Sequence, residues 1–158
     1  MQVRLNYHGH AQFQAIARNH TIWGDQPCDN QGDDIGMTPP EWFLASLGSC
    51  IGFYAVHYCQ TRDLDATGLT VDVSAQKVAD PARLDHIQVR VNLPLALDDR
   101  HRTGLERAVK TCLIHNTLTH PPTMTTQITS GQPIAENPFQ PDPDAIDRPL
   151  GNAVAHAG

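Results

Sequence analysis

Apolar residues recur along this chain at two different spacings, and each change of spacing marks a new element. VRLNYH (3–8) and AQFQAIA (11–17) place apolar side chains at every second position, the period of a half-buried strand, with Gly9 at the turn between them. Arg18-Asn19 marks a second turn before HTIWGD (20–25), so the chain opens with three short strands. CDNQGDDIG (28–36) holds almost nothing apolar and reads as a loop. A helix then starts at Thr38, the N-cap, with Pro39 in the first helical position and Glu41 completing a T-x-x-E capping box. It is expected to run to about Arg62. LTVDVSAQKV (69–78) and LDHIQVRVNLPL (84–95) return to strand spacing, joined by ADPAR, and at Pro94 the second of them ends or lies at an edge. Residues 98–118 read as a second helix with Leu105, Val109, Cys112 and Asn116 on one face, stopped by Pro121-Pro122. TMTTQIT (123–129) reads as a final strand. The order β-β-β-α-β-β-α-β is that of an α+β domain. The domain is expected over residues 1–130. The proline-rich segment 131–158 offers little to bury and is expected to be a mobile tail or an arm docked on a partner.

The first helix is the unusual element. From Trp42 to Cys59 it contains no Asp, Glu, Lys or Arg, so it lacks a polar face. Such a helix is either a membrane span or the covered centre of a globular fold. Ser46, Gly48, Ser49, Gly52 and His57 dilute its apolar character, and amphipathic strands elsewhere need something to pack on. The buried reading is preferred.

Composition narrows the chemistry. Eleven basic residues against 17 acidic give a net charge of −6, a balance that repels phosphate backbones and anionic lipid, and no Lys/Arg stripe offsets it. A nucleic-acid or membrane partner is not expected. The start, MQVRLNYHGH, has no apolar run of the kind a secretory signal carries. The four cysteines, Cys28, Cys50, Cys59 and Cys112, are therefore expected to be reduced in a cytoplasm. Their spacing matches no zinc pattern, because C-x₂-C is absent.

TPPEWFLASLGSC (38–50), with a cysteine inside a buried first helix, resembles the S/T-P-x-E-x-x-L-x-x-L-G-x-C run of OsmC-like proteins in the OsmC/Ohr family. LERAVKTCLIHNTL (105–118) is similar to the family's second helix with its second cysteine, and NYHGHAQFQA…HTIWGDQP is similar to its opening sheet. The resemblance covers residues 1 to about 130. It implies an intertwined homodimer in which two sheets wrap paired central helices, the cover that a helix without a polar face needs. It further implies a peroxidatic thiol at Cys50 and a resolving thiol at Cys112, linked as a disulfide after turnover and reduced by other thiols. Glu41 falls where the family places a glutamate of the catalytic charge network. No metal or organic cofactor is implied. Two features depart from Ohr: Cys112 is followed by LIHN rather than Pro, and the first hairpin, YHGHAQF, has no Arg. They place the chain nearer the OsmC-like branch.

Each candidate also has a plain reading. Free cysteine is often just a small core residue, and this applies to both Cys50 and Cys112. Glu41 is accounted for by the capping box alone. A reactive Cys50 needs a cationic neighbour, because helix-dipole effects fade within a turn of the helix start. Without the hairpin arginine, the candidates are His8, His10 or an arginine from elsewhere in the chain, and Arg18 lies too far along the chain to match the motif. Cys59 lies about 180° around and about 13 Å along the helix from Cys50, so the two cannot bond within it. It reads as structural, and Cys28 as a surface thiol. Three functions remain open: an organic hydroperoxide reductase, a small-ligand binder of the same fold, and a metal-binding module built on His8 and His10.

Overall fold

The computed structural model describes residues 1–131, and the expected tail lies outside them. The chain forms two compact units, one from the N-terminal residues through Ile35 together with the segment from Thr125, the other spanning Gly36–Met124.

In the first unit β1 (Arg4–Tyr7), β2 (Phe13–Ala17) and β3 (His20–Gly24) form an antiparallel sheet in the order β1-β2-β3. Gly9 and Arg18 turn the chain with positive φ, at the two turns read from the sequence. Paired residues share a face, so the register puts Leu5, Ala15 and Ile22 in one row and Tyr7 and Phe13 in the next. The opposite face carries Arg4, Asn6, Gln14, Thr21 and Trp23, together with Ile16.

The loop after β3 is organised by Asp25, only 1% exposed. Its carboxylate accepts hydrogen bonds from the backbone N–H groups of Gln26 at 2.8 Å, Asp33 at 2.9 Å and Ile35 at 3.3 Å. Burial alone would raise this carboxyl, but the three donors outweigh it and hold the group below its ordinary 3.8. A depressed carboxylate contributes stability that is present above the ordinary value and is lost as pH falls through the folded one. Melting temperature should therefore drop on acidification below about pH 4. Asp25→Asn should lower it at neutral pH and flatten that acid limb. An unchanged acid limb in Asp25→Asn would show that Asp25 does not hold the loop.

The second unit is built on α1 (Pro39–Gln60). Glu41 fixes its start: the carboxylate accepts from the Thr38 N–H at 2.7 Å and from the Thr38 hydroxyl at 2.8 Å. Among the described residues no helix is long and apolar enough to cross a membrane. Instead α1 buries Leu47, Ile51, Ala55, Tyr58 and Cys59, while Ser46, Ser49, Phe53 and His57 stay exposed. The buried side lies against the hairpin of β4 (Thr70–Ala79) and β5 (Ala82–Asn92), which contributes Val71, Val73, Ile87 and Val91. Full burial of a side chain such as Leu47 is worth about 1.5–3 kcal/mol. Gly48 brings helix and strand together, since a Cβ there would stand 3.0 Å from Val73 Cγ2.

Two expectations need correction. The second helix is not continuous over 98–118 but divides into α2 (Asp99–Val109) and α3 (Leu113–Thr119). The Thr111 hydroxyl donates to the Ala108 carbonyl at 2.7 Å, the backbone tightens into short-range bonds, and Cys112 leaves helical geometry at φ −56, ψ 127. TMTTQIT forms no strand. A strand needs a neighbour to bond to, and neither sheet includes this segment.

α2 crosses α1 at Gly104, where an added Cβ would run into the Tyr58 hydroxyl and lie 2.7 Å from its ring. The same ring carries the Arg62 guanidinium at 3.9 Å, and its hydroxyl meets His101 Nδ1 at 3.3 Å. Gly104→Ala should destabilise by about 1–3 kcal/mol in urea denaturation, as overpacking of a filled contact does. Removing the hydroxyl with Tyr58→Phe in the same background should recover part of the loss. A Gly104→Ala protein as stable as the parent would refute this crossing.

Candidate functional site

α1 carries Cys50 one turn before Tyr54, so the two are neighbours on the helix surface. Both pack against a buried cluster of Leu47, Ile51 and Cys112, joined by Val109 and Ile114. The break between α2 and α3 delivers Cys112 to this place. As the N-cap of α3 it points its sulfur at the first turn, accepting from the His115 N–H at 3.5 Å. Cys112 is 0% exposed, whereas Cys50 is only partly buried, and both are free thiols.

Burial pushes the Cys112 thiol up, and the Cys50 thiol beside it adds to the shift, while the N–H groups of His115 and Ile114 pull against them. Burial also raises the Tyr54 phenol, followed by the nearby Cys50 and Cys112. The phenol, one turn along α1, thus feels both sulfurs. Cys59 is fully buried and burial raises its thiol, which fits a core residue. Cys28 is exposed in a short turn, Cys28–Asn30.

The structure brings Cys50 and Cys112 together but leaves Glu41 apart from them within the chain. Glu41 sits about 13 Å along and half a turn around α1 from Cys50. Two Thr38 donors, its backbone N–H and its hydroxyl, hold its carboxyl below the ordinary range, against a smaller opposing effect of burial. Glu41 lines a different feature, an apolar cleft of about 490 Å³ bordered by Leu44, Gly48, Ser49, Val71 and Val73.

His8 and His10 have different neighbours. His8 lies edge-on to Trp23 with centroids 4.8 Å apart, and His10 Nδ1 stands 3.1 Å from an Asp33 carboxylate oxygen. Among the described residues no group of three or more His, Cys, Asp or Glu side chains is placed to hold a metal ion.

The sequence reading missed three residues with clear structural work: Asp25, His101 and Gly104. It did not single out Tyr54. The i, i+4 spacing from Cys50 was the signal that could have singled Tyr54 out.

Solved structures share this architecture. A protein from Psychrobacter arcticus 273-4, provisionally named an osmotic stress induced and detoxification response protein, superposes with a TM-score of 0.68 at 25% identity. The match covers 74% of this chain and 87% of that one. An OsmC-like protein from Mycoplasma pneumoniae gives 0.65 at 18% identity over 76% and 87% of the two chains. An organic hydroperoxide resistance protein from Elizabethkingia anophelis gives 0.57 at 15% over 77% and 90%. No curated protein sequence matches the chain. The family model described as OsmC-like protein matches residues 31–127, which take in Thr38, Glu41, Cys50 and Cys112. The chain belongs to the OsmC-like protein family.

Proposed function

We propose that the protein is a thiol-dependent hydroperoxide reductase that acts on organic hydroperoxides in oxidative-stress defence. The observation that carries this reading is the meeting of two free thiols, Cys50 and Cys112, at one apolar cluster. Their unequal exposure supports Cys50 as the peroxidatic and Cys112 as the resolving thiol, because an incoming peroxide meets the partly exposed Cys50 before the buried Cys112. The Cys50 thiolate attacks the distal peroxide oxygen, the O–O bond breaks, and an alcohol leaves a sulfenic acid on Cys50. The Cys112 thiol condenses with it, releasing water and forming a disulfide that an external thiol reduces. Leu47, Ile51 and Ile114 around the pair favour an organic peroxide over hydrogen peroxide. Glu41 contributes as the cap that sets where α1 begins, and so where Cys50 lies along it. The scheme needs no metal or organic cofactor. It suits a homodimer working in a reducing cytoplasm.

A second reading, small-ligand binding, is favoured by the apolar cleft of about 490 Å³ on the other side of α1. Turnover separates the two. Reduced protein supplied with dithiothreitol should consume cumene hydroperoxide catalytically and hydrogen peroxide more slowly. Retention of an apolar ligand with no peroxide consumption would favour binding instead.

A further inference from the structure

Tyr54 follows Cys50 by one turn of α1. Its ring is half-buried, lies edge-on to Phe53 with centroids 5.5 Å apart at 86°, and rests on the cluster that includes Cys112. Partly buried tyrosines ordinarily give their hydroxyl a partner. Among the described residues the Tyr54 hydroxyl bonds no protein group, unlike that of Tyr58, which meets His101 Nδ1, and its oxygen keeps some exposure, so a peroxide can reach it. The sulfurs of Cys50 and Cys112 are the groups whose charge bears on it.

We propose that the Tyr54 hydroxyl is a catalytic hydrogen-bond donor to the peroxide oxygen that departs when Cys50 attacks. The proposal rests on the reductase reading above. The Cys50 thiolate supplies an electron pair to the distal oxygen of an organic hydroperoxide, forming the S–O bond as the O–O bond breaks. The second electron pair passes to the proximal oxygen, which becomes an alkoxide, and Cys50 is left as the sulfenic acid. The alkoxide takes its proton from water and leaves as the alcohol. Negative charge thus develops on the proximal oxygen only as the bond breaks, and a donor aimed there stabilises the transition state more than the bound peroxide. A phenol is protonated at neutral pH at its ordinary value of 10.0, and burial and the two thiols raise it further, so it is present as a donor. A neutral hydroxyl also suits an apolar cluster better than a buried cation would.

The test compares two reactions of the same thiol. Rates of Cys50 oxidation by tert-butyl hydroperoxide and of Cys50 alkylation by iodoacetamide are measured in the wild type, Tyr54→Phe and Tyr54→Leu. Alkylation expels iodide and develops no charge on an alkoxide, so it reports thiolate supply and access alone. Tyr54→Phe should slow oxidation about tenfold, the worth of one lost hydrogen bond, while leaving alkylation nearly unchanged. Tyr54→Leu should slow both, because it also removes the ring. Equal slowing of both reactions in Tyr54→Phe, or no slowing of either, would overturn the proposal. If Tyr54→Phe folds poorly, 3-fluorotyrosine at position 54 gives a more acidic donor in the native shape. It should speed oxidation but not alkylation, and an unchanged ratio overturns the proposal. A wild type whose Cys50 is alkylated but never oxidised would remove the reductase reading and this proposal with it.

Discussion

Cys50→Ser is expected to abolish hydroperoxide consumption, and Cys112→Ser to leave a single turnover. The difference follows from position. Cys50 is the partly exposed thiol of the pair, and no other cysteine can replace it. Cys59 is on the opposite side of α1 and fully buried, and Cys28 sits in the short turn Cys28–Asn30 with no second thiol packed against it among the described residues. Cys112→Ser keeps a small side chain as the α3 N-cap, and serine is a better cap than cysteine, so the helix should survive the change. Without the second thiol the Cys50 sulfenic acid has nothing to condense with. It should accumulate, react with dimedone and over-oxidise under excess peroxide. Cys59→Ser should retain full activity per folded molecule, with any loss confined to stability. Peroxide consumption by Cys50→Ser at the parent rate would place the chemistry elsewhere.

The protein is expected to be a homodimer with an interface in the obligate class, above about 2,000 Å². Among the described residues the sheet of the first unit exposes large apolar side chains on one face: Leu5 and Ile22 are each 54% exposed and Tyr7 is 64% exposed. α1 likewise leaves Phe53 open at 55%. Apolar exposure of this extent on one sheet face marks an association surface. The register predicts which substitutions act on it, because Leu5 and Ile22 flank Ala15 in a single row. Leu5→Asp with Ile22→Asp should convert the dimer to monomer or aggregate. Arg4→Asp with Thr21→Asp, on the other face, should leave it a dimer. A folded wild-type monomer at micromolar concentration in light scattering would contradict this account.

Much of the fold was legible because its signals are local. T-x-x-E with Pro39 placed the start of α1, and period-2 alternation with Gly9 and Arg18-Asn19 placed the first three strands. What escaped depended on distant partners or on competition within one turn. Residues 98–118 keep helical spacing throughout, so only the Thr111 back-bond to Ala108 and the capping sulfur of Cys112 reveal the break. TMTTQIT has strand composition but no neighbouring strand in either sheet. Asp25 reads as another loop aspartate, since its donors at Asp33 and Ile35 arrive from further along the chain. At the site, helix geometry alone placed Cys59 and Glu41 away from Cys50. The approach of Cys112 to Cys50 depends on how α1 packs with the α2–α3 segment, which no sequence spacing encodes.

The most direct measurement is mass-spectrometric mapping of cysteine oxidation after reduced protein meets one equivalent of cumene hydroperoxide. The account predicts a peptide pair joined through Cys50 and Cys112, with Cys59 unmodified and the bond reversed by dithiothreitol. Cys50 left entirely as free thiol under excess organic hydroperoxide would contradict it.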